Sequence, residues 1–419
     1  MILAALVAAA GLWTAPAAAS VLDDCRGPLC GARALTPYFD ALQARGALDG
    51  APPVHILQIG DSHSAGDSIT GAWRDALQAR YGSGGRGVLP PGDPYWGFIP
   101  HGVHIDQTAG WRVEATFGKA APPADQPVVF GLSGFRLTSD QPGATIGLTA
   151  TPQEAFDRLI VCAITGPDAG GYVLTLGGAA QTVSLAAPAP GVDCHSFSAG
   201  ALTTTAVLST QGGPVTLLSW ASFRPGGVVV SNLGVVGAQL RHFARADNAA
   251  MAAELRAYAP DLIVLEFGTN EAFGTHFDPA AYEATVREEI ARLKRLSGGA
   301  PMLIFGAPDA GTDRRELSHN AEPAPGDPTA AEAASGGWFP PPALSAIRAA
   351  QRRAAAAEGA AFWDWGDRMG GPGVAQSWVA AMPPLMRHDH VHYTTDGGAV
   401  VARLLQEDLD QAAAASGTP

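Results

Sequence analysis

The sequence predicts an α/β protein in which a doubly wound parallel sheet is interrupted by an inserted antiparallel β-sandwich. Apolar strand-like runs alternate with amphipathic helical patterns near residue 54 and again after residue 226. Between about residues 103 and 227 the helical patterns give way to short alternating runs separated by Gly, Pro and Asp. A chain of 419 residues is long enough for two domains, or for one domain with a large insertion.

The α/β part begins with the apolar run 54–60, which a tight turn connects to a helical pattern that ends near residue 81. The stretch 82–102 is rich in Gly and Pro, and we expect an ordered loop there. Later strands are predicted within 226–238, 261–271, 301–308 and 360–365, and later helices within 245–259, 279–296, 342–358 and 395–413. A long polar stretch, 309–340, is predicted to be a lid.

The middle of the chain contains a series of short apolar runs that are typical of antiparallel strands. These runs are VVFGL (128–132), FRLTS (135–139), ATIGLTA (144–150), RLIVCAITG (158–166), YVLTLGG (172–178), QTVSLAA (181–187), TTTAVLS (203–209) and VTLLSWASF (215–223). We therefore divide the chain into an α/β domain, 20–102 and 228–415, and an inserted β-sandwich, 103–227.

The first nineteen residues combine an apolar run with a small-residue A-x-A end, as in a secretory signal peptide. We expect cleavage near Ala19, although the missing basic n-region leaves an uncleaved anchor as the alternative. No later run is apolar enough to span a membrane, so we expect a periplasmic or secreted protein without stable membrane insertion after signal removal. Export permits disulfides, and the spacing of the four cysteines predicts the pairs Cys25–Cys30 and Cys162–Cys194.

The charge balance argues against a polyanionic partner. There are 26 basic and 39 acidic residues, which give a net charge of −13. Proteins that bind nucleic acid present a basic surface to the phosphates, and no such surface is available here. We therefore expect no nucleic-acid partner.

In an open α/β sheet, ligands bind at the carboxyl ends of the strands, so polar residues that follow apolar strands are candidate site residues. At the first such point, Gly60 permits a sharp strand-to-helix turn before Asp61 and Ser62. That turn would expose the Ser62 hydroxyl as a nucleophile and its backbone N–H as an oxyanion donor. The alternative is that Ser62 only caps the following helix.

Two further strand ends offer oxyanion donors. The side-chain amide of Asn270 can donate a hydrogen bond to a developing oxyanion, and its alternative role is to form a turn. The neighbouring Glu271 is an acid or base, or a helix cap. The backbone N–H of Gly237 can approach a substrate closely, but Gly237, like Gly234, is also a plausible turn glycine.

The segment HDHVH near the C-terminus offers a base. Asp389 and His392 are separated by two residues, so the carboxylate can reach imidazole Nδ1 and fix the tautomer that activates a serine. A solvated loop is one alternative, and a metal held by His388, His390 and His392 is another. We favour no metal, because alternate histidines on an extended segment converge poorly.

These elements together resemble the SGNH (GDSL-like) hydrolase family. The four matching blocks, in the order of the family, are Gly60-Asp61-Ser62, Gly237, Gly268-x-Asn270 and Asp389-x-x-His392. The resemblance implies a flavodoxin-like sheet, the catalytic residues Ser62, Asp389 and His392, and an oxyanion hole from Ser62, Gly237 and Asn270. Two positions depart from the family pattern, because Glu271 replaces the usual Asp and His63 the usual Leu.

A finer resemblance is to the periplasmic peptidoglycan O-acetylesterases. It rests on GDSHSAGD, GRGVLPPG, GTNE, FWDWGDRMGG and the position of a carbohydrate-binding-like β insertion. It implies a cofactor-free serine esterase that removes O-acetyl groups from a cell-envelope glycan, with O-acetylated peptidoglycan as the partner. A glycan O-acetyltransferase with the same triad and a non-catalytic glycan-binding protein are the alternatives. Tyr95, Trp96, Trp111 and Trp338 lie in or beside predicted loops where sugar rings could stack.

Overall fold

The central sheet contains five parallel strands with an antiparallel hairpin at one edge. We describe a computed structural model of the chain over residues 24–98, 100–123, 126–274, 276–313 and 337–415. The strands of the central sheet are β1 (Cys25–Arg26), β2 (Leu29–Cys30), β3 (Val54–Gly60), β15 (Val228–Gly234), β16 (Leu262–Glu266), β17 (Met302–Phe305) and β18 (Ala361–Trp363). Their spatial order is β1-β2-β18-β17-β16-β3-β15, and β18 to β15 are parallel. Counted along the chain, the parallel strands have the order 2-1-3-4-5 of flavodoxin-like folds, so the α/β prediction is confirmed.

Helices cover both faces of this sheet. They are α1 (Thr36–Arg45), α2 (Ser62–Ala65), α3 (Ser68–Tyr81), α4 (Leu240–Phe243), α5 (Asn248–Tyr258), α6 (Thr269–Ala272), α7 (Pro279–Leu296), α8 (Leu344–Ala357), α9 (Trp365–Met369), α10 (Ala375–Ala380) and α11 (Thr395–Ala415). Side chains alternate along β3, so Ile56 packs with α1, α3 and α11, whereas Leu57 packs with α5, α7 and α8. The sheet is therefore doubly wound, with one apolar core on each face.

The middle of the chain forms two antiparallel sheets. Its strands are β4 (Gly87–Leu89), β5 (Val103–Gln107), β6 (Arg112–Ala115), β7 (Phe135–Ser139), β8 (Thr145–Ala150), β9 (Phe156–Thr165), β10 (Gly171–Leu176), β11 (Ala179–Ser184), β12 (Gly191–Thr203), β13 (Thr205–Gln211) and β14 (Val215–Phe223). One sheet has the order β11-β10-β13-β8-β5 and the other β12-β9-β14-β7-β6, with β4 beside β14. Leu137 of β7 and Ile146 of β8 belong to one core cluster, so the two sheets share an apolar interior.

The two ends of this antiparallel segment lie side by side. The Val228 N–H donates to the Gly82 carbonyl at 3.0 Å, and the Gly84 N–H donates to the Val228 carbonyl at 3.0 Å. The Arg224 N–H in turn donates to the Gly84 carbonyl at 2.8 Å. The chain thus leaves and re-enters the parallel sheet at one place. The boundaries 103 and 227 stay a prediction.

Two local predictions were wrong. The stretch 82–102 contains β4, which pairs with β14 and is too short and too rich in glycine to show alternation. The run 128–132 is not a strand, although Phe130 and Leu132 are buried. Its backbone has partners outside any sheet, since the Leu132 N–H donates to the carboxyl group of Glu254 at 2.6 Å and the Phe130 carbonyl accepts the Asp247 N–H at 2.8 Å.

Both predicted disulfides are confirmed. Cys25–Cys30 closes the β1-β2 hairpin, and Cys162–Cys194 joins β9 to β12. None of the described helices is long and apolar enough to cross a membrane. The predicted signal peptide, 1–19, and most of the predicted lid, 314–336, lie outside the described residues.

One buried carboxylate fixes the loop that follows α3. Asp67 accepts hydrogen bonds from Arg74 Nη2 at 3.1 Å, Arg86 Nη2 at 3.0 Å and the His101 backbone N–H at 2.9 Å. Burial alone would raise the pKa of Asp67, but the two guanidinium groups hold that pKa far below its ordinary value. The loop that ends at His101 is thereby anchored beside α3.

A second buried carboxyl group joins the antiparallel segment to α5. Glu254 of α5 is 0% exposed and contacts the Ser219 hydroxyl on β14, which also lies 2.7 Å from the Tyr258 hydroxyl. Burial raises the pKa of Glu254 from 4.5 to about 7, while its hydrogen bonds from Ser219 and Leu132 act in the opposite direction. Between about pH 4.5 and 7 this carboxyl group therefore binds a proton on folding.

We expect Glu254→Gln to change how stability depends on pH. Because the folded-state pKa is raised, the contribution of Glu254 is fully present below about pH 4.5 and falls as pH rises towards 7. The loss across that window is about 3 kcal/mol. Glutamine does not titrate. In urea unfolding between pH 4 and 8, the free energy of unfolding of the variant should therefore rise relative to that of the native protein as pH rises. A stability difference that is independent of pH would contradict the assignment.

Candidate active site

Three turns meet at the carboxyl edge of the central sheet. They follow β3, β15 and β16, which are adjacent strands. The same edge receives the segment 387–393, which precedes α11. Residues from four distant parts of the chain therefore come together, as the sequence predicts for candidate site residues at the ends of parallel strands.

Ser62 is the first residue of α2, directly after the turn that ends β3. The preceding residue, Asp61, is the helix cap, because its Oδ1 accepts the His63 backbone N–H at 2.9 Å. A side chain at Gly60 would meet Ser64 Oγ at 2.4 Å and Glu266 Oε2 at 2.5 Å, so only glycine fits. The capping role that was the alternative for Ser62 belongs to Asp61, and the Ser62 hydroxyl is directed elsewhere.

The Ser62 hydroxyl lies at the end of a chain of hydrogen bonds from the C-terminal segment. Its Oγ is 2.9 Å from His392 Nε2, and His392 Nδ1 is 2.8 Å from Asp389 Oδ2. The carboxylate accepts a hydrogen bond from the Nδ1–H group, which leaves the unprotonated Nε2 to accept the serine proton. Asp389 Oδ1 also accepts the backbone N–H groups of Val391 at 3.0 Å and His392 at 2.9 Å. The same carboxylate thus shapes the turn and orients the ring.

The pKa of Asp389 matches this arrangement. Partial burial alone would raise the pKa, but hydrogen bonds from the backbone and ring of His392, and from Val391, lower it below its ordinary value. Asp389 therefore stays ionised at neutral pH. An ionised carboxylate is what a histidine needs to act as a base.

Two backbone N–H groups in the turns after β3 and β15 have no acceptor among the described residues. Within the described part of the chain, neither the Ser62 N–H nor the Gly237 N–H makes a hydrogen bond. Gly237 has φ +78, a conformation that favours glycine, and is exposed. Gly234 instead closes the gap between β15 and α2, since a side chain there would meet the Ala65 nitrogen at 2.0 Å. The two glycines therefore have different tasks.

The Asn270 amide lies at this edge but already has two acceptors. Its Nδ2 donates to Asp61 Oδ2 at 3.2 Å and to the Ala238 carbonyl at 2.9 Å. Asn270 can therefore serve an oxyanion only by giving up one of these bonds. The adjacent Glu271 has the capping role, because its carboxyl group accepts the Gly268 N–H at 3.1 Å and the Leu240 N–H at 2.8 Å.

The three alternate histidines of the C-terminal segment do not share one centre. His390 Nδ1 contacts the His388 carbonyl at 3.0 Å, and its Nε2 contacts Gln376 Oε1 at 2.9 Å. The His390 ring also stacks on Trp338 at 3.7 Å between centroids. His392 uses both ring nitrogens on Ser62 and Asp389. The geometry thus offers no support for a metal at His388, His390 and His392.

The serine opens onto a cleft of about 440 Å³. Its walls include Tyr95, His101, Val236 and Arg387, of which sequence reasoning identified only Tyr95. The Tyr95 ring stacks on Phe135 of β7, so the antiparallel segment supports one wall. Size does not distinguish this cleft, because a cavity of about 560 Å³ between α3 and residues 151–154 contains none of the predicted catalytic groups.

The predicted aromatic residues have separate positions. Trp96 is 99% exposed beside Tyr95, whereas Trp111 donates its indole N–H to the Thr145 carbonyl at 3.2 Å. Trp338 packs on His390. The exposed Arg387 makes no ion pair with a carboxylate among the residues that the structure covers. Its position two residues before Asp389 was the one available signal for a cation in the cleft.

Comparison with known proteins adds independent findings. The sequence model of the GDSL-like Lipase/Acylhydrolase family matches residues 195–400. A solved peptidoglycan O-acetylesterase is similar over 90% of this chain and 95% of its own, with 25% identity and a TM-score of 0.71. A family two carbohydrate esterase from Cellvibrio japonicus (12% identity, 74% of this chain and 98% of its own, TM-score 0.27) is much less similar. The same holds for a GDSL-like lipase from Bacteroides thetaiotaomicron (14% identity, 44% and 76%, TM-score 0.26).

No curated protein matches the sequence. The family match contains Gly237, Asn270, Asp389 and His392, and the similar solved structure extends over nearly the whole chain. The fold has the strand order that the resemblance implied. The family match, the strand order and the similar solved structure together support an SGNH, or GDSL-like, hydrolase.

Proposed function

We propose that the protein is a periplasmic or secreted serine esterase that removes O-acetyl groups from peptidoglycan. The observation that carries this proposal is the chain of hydrogen bonds from Asp389 through His392 to the Ser62 hydroxyl, at 2.8 and 2.9 Å. Ser62, His392 and Asp389 are the nucleophile, the base and the group that orients the base. The disulfides and the similarity to a peptidoglycan O-acetylesterase support the location and the substrate.

The reaction is a two-step acyl transfer that uses only groups of this chain. His392 Nε2 takes the Ser62 proton while Ser62 Oγ bonds to the acetyl carbon, and the carbonyl oxygen becomes an oxyanion. The bond from this carbon to the sugar oxygen then breaks, and His392 gives its proton to that oxygen, which leaves as the sugar hydroxyl. Water next attacks the acetyl-enzyme with His392 again as base, which releases acetate and restores Ser62.

The oxyanion is bound by the Ser62 and Gly237 N–H groups. Asn270 is the third donor, and one of its N–H groups turns from Ala238 or Asp61 to the oxyanion when substrate binds. One such donor contributes about 3–4 kcal/mol to the stability of the transition state. Donors built from backbone amides need no reorganisation during the reaction, which suits an open cleft.

The antiparallel segment is proposed to be the glycan-binding part of the enzyme. It supports the cleft through the stacking of Phe135 on Tyr95, and the exposed ring of Trp96 offers a face to a sugar. Arg387 places a positive charge at the cleft of a protein whose net charge is −13. Peptidoglycan has peptide carboxylates near its sugars, whereas acetylated xylan has an uncharged backbone.

We expect Ser62→Ala to abolish hydrolysis of p-nitrophenyl acetate and acetate release from O-acetylated peptidoglycan. The expected fall in kcat is roughly 10⁶-fold, because the nucleophile is lost while the fold keeps its buried contacts. Ser184→Ala, which removes an exposed hydroxyl on the edge strand β11, is the control and should keep full activity. If Ser62→Ala turned over normally, Ser62 would have no place in the mechanism. Transfer of acetyl to an added sugar acceptor, in preference to water, would identify a transferase.

We expect Asp389→Asn to lower kcat by roughly 10⁴-fold without unfolding the protein. The asparagine oxygen can still accept the Val391 and His392 backbone N–H groups, so the turn persists. The neutral asparagine amide cannot replace the carboxylate as the acceptor of the Nδ1–H hydrogen bond. The ring is then no longer held in the tautomer whose Nε2 can accept the serine proton. Kinetics with p-nitrophenyl acetate measure the loss of kcat, and thermal unfolding tests whether the fold is intact. A variant with unchanged kcat would show that His392 needs no orienting carboxylate.

We expect Arg387→Gln to weaken only the binding of anionic substrate. An exposed ion pair contributes about 0.2–1 kcal/mol, which corresponds to a rise in KM of up to about 5-fold. The rise should be seen with O-acetylated peptidoglycan and be absent with acetylated xylan and p-nitrophenyl acetate. Arg387→Lys keeps the positive charge, so its KM should stay close to that of the native protein. Equal effects on charged and neutral substrates would contradict a role in charge recognition.

A further inference from the structure

A buried histidine follows the proposed nucleophile in the chain and takes no part in the proton transfer described above. His63 follows Ser62 in α2, and its side chain is only 1% exposed. The ring packs against both Trp365 and Tyr393, at 5.3 and 5.5 Å between centroids, and these two rings also stack on each other. A leucine would fill such a place without any polar partner, so the imidazole requires an explanation.

Both ring nitrogens of His63 face atoms that accept hydrogen bonds. Nε2 lies 2.9 Å from the Val391 carbonyl oxygen, and Nδ1 lies 3.1 Å from Asp61 Oδ1. A carbonyl has no proton to give, so Nε2 must be the donor in the first bond. Asp61 accepts on both oxygens, since Oδ1 also takes the His63 backbone N–H and Oδ2 takes the Asn270 amide. Nδ1 is therefore a donor too, and a ring that donates at both nitrogens is an imidazolium.

The acidic groups around the ring favour a cation, and Asp61 is the main counter-charge, because burial and the neighbouring Asp61 raise the pKa of Glu266 to about 7. Glu266 Oε1 lies 3.7 Å from Nδ1, and Asp61 and Glu266 are both buried. His392 and Tyr393 are the other titratable groups in contact, and burial raises the pKa of Tyr393 well above its ordinary value, so it stays neutral. Burial alone would lower the pKa of His63, but Asp61 and then Glu266 hold it well above its ordinary value.

We propose that His63 is a positioning residue, an imidazolium that joins the turn before Ser62 to the main chain before His392. Asp61 directly precedes Ser62, and Val391 directly precedes His392, so one ring connects the neighbours of both reacting groups. The connection sets the distance between Ser62 Oγ and His392 Nε2 from below the cleft. It also orients Asp61, which holds the Asn270 amide. This inference rests on the proposed function, because it concerns the same serine and histidine.

Substitution tests the positioning role. In His63→Leu the ring is replaced by the residue usual in the family. In His63→Gln both N–H donors sit on one amide nitrogen, so they cannot reproduce the two donors that the ring places at separate positions, Nδ1 and Nε2. We expect kcat for p-nitrophenyl acetate to fall roughly 10- to 100-fold with KM unchanged, as for a small displacement of reacting groups. A merely structural role would lower the melting temperature and leave the kcat of the folded protein unchanged. That outcome, in either variant, would overturn the proposal.

The protonation state is tested on the native protein, so the test does not depend on how the variants fold. His55 is an equally buried histidine, and burial lowers its pKa to about 4, so it serves as the internal reference. In nitrogen-15 spectra of histidine-labelled protein at pH 8, we expect two protonated ring nitrogens for His63 and one for His55, with His63→Gln assigning the signal. A neutral His63 ring at pH 8 would overturn the proposal. An inactive native enzyme with a protonated His63 would instead count against the proposed function, so the two failures are distinguishable.

Discussion

The arrangement of the candidate site depends on how the turn after β3 is held against the neighbouring strand. Glu266, the last residue of β16, accepts hydrogen bonds at Oε2 from the Asp61 N–H at 3.2 Å, the Ser64 N–H at 3.3 Å and the Ser64 hydroxyl at 2.9 Å. The absence of a side chain at Gly60 permits this approach. Because burying unpaired polar groups is costly, the turn and the carboxyl group need each other. Ser62 is thereby placed by the sheet rather than by a free loop.

Asp61 connects the parts of the site that act at different moments of the proposed reaction. Asp61 Oδ2 accepts a hydrogen bond from the Asn270 amide, which is a proposed oxyanion donor. Asp61 Oδ1 contacts the His63 ring, which also contacts the Val391 carbonyl next to the proposed base. A shift of Asp61 would displace both. Such shared hydrogen bonds in a buried place are strongly coupled, so the site should respond to mutation as a unit rather than residue by residue.

The sequence was sufficient to predict the residues that end apolar strands, because that signal is local. Ser62, Gly237 and Asn270 follow such strands, and parallel strands bring their carboxyl ends to one edge. The pairing of Asp389 with His392 was predictable from spacing within one turn. The fold prediction succeeded for the same reason, since the periodicity of β3 and the helices is a short-range property.

Some contacts were not predictable, because one partner is a backbone group or because the two partners are far apart in the sequence. His63 contacts a backbone carbonyl 328 residues later, and a carbonyl leaves no mark on a sequence. Glu266 occurs inside an apolar run, and its partners belong to a turn about 200 residues earlier. The run 128–132 has the apolar content of a strand, but its backbone bonds to Glu254 and Asp247 instead of to a neighbouring strand. Long-range polar contacts of this kind override local patterns.

The antiparallel segment can be long without disturbing this site, because its two ends are hydrogen-bonded to each other at Gly82, Gly84 and Val228. β3 and β15 keep their parallel register through seven residue pairs although the intervening chain forms two more sheets. Loop-closure entropy grows slowly with length, so such an excursion costs little once its ends are fixed. The cleft wall at Tyr95, which rests on this segment, can therefore change its surface while the sheet holds Ser62 and His392 in place. In this architecture the cleft wall and the proposed catalytic geometry depend on different parts of the chain.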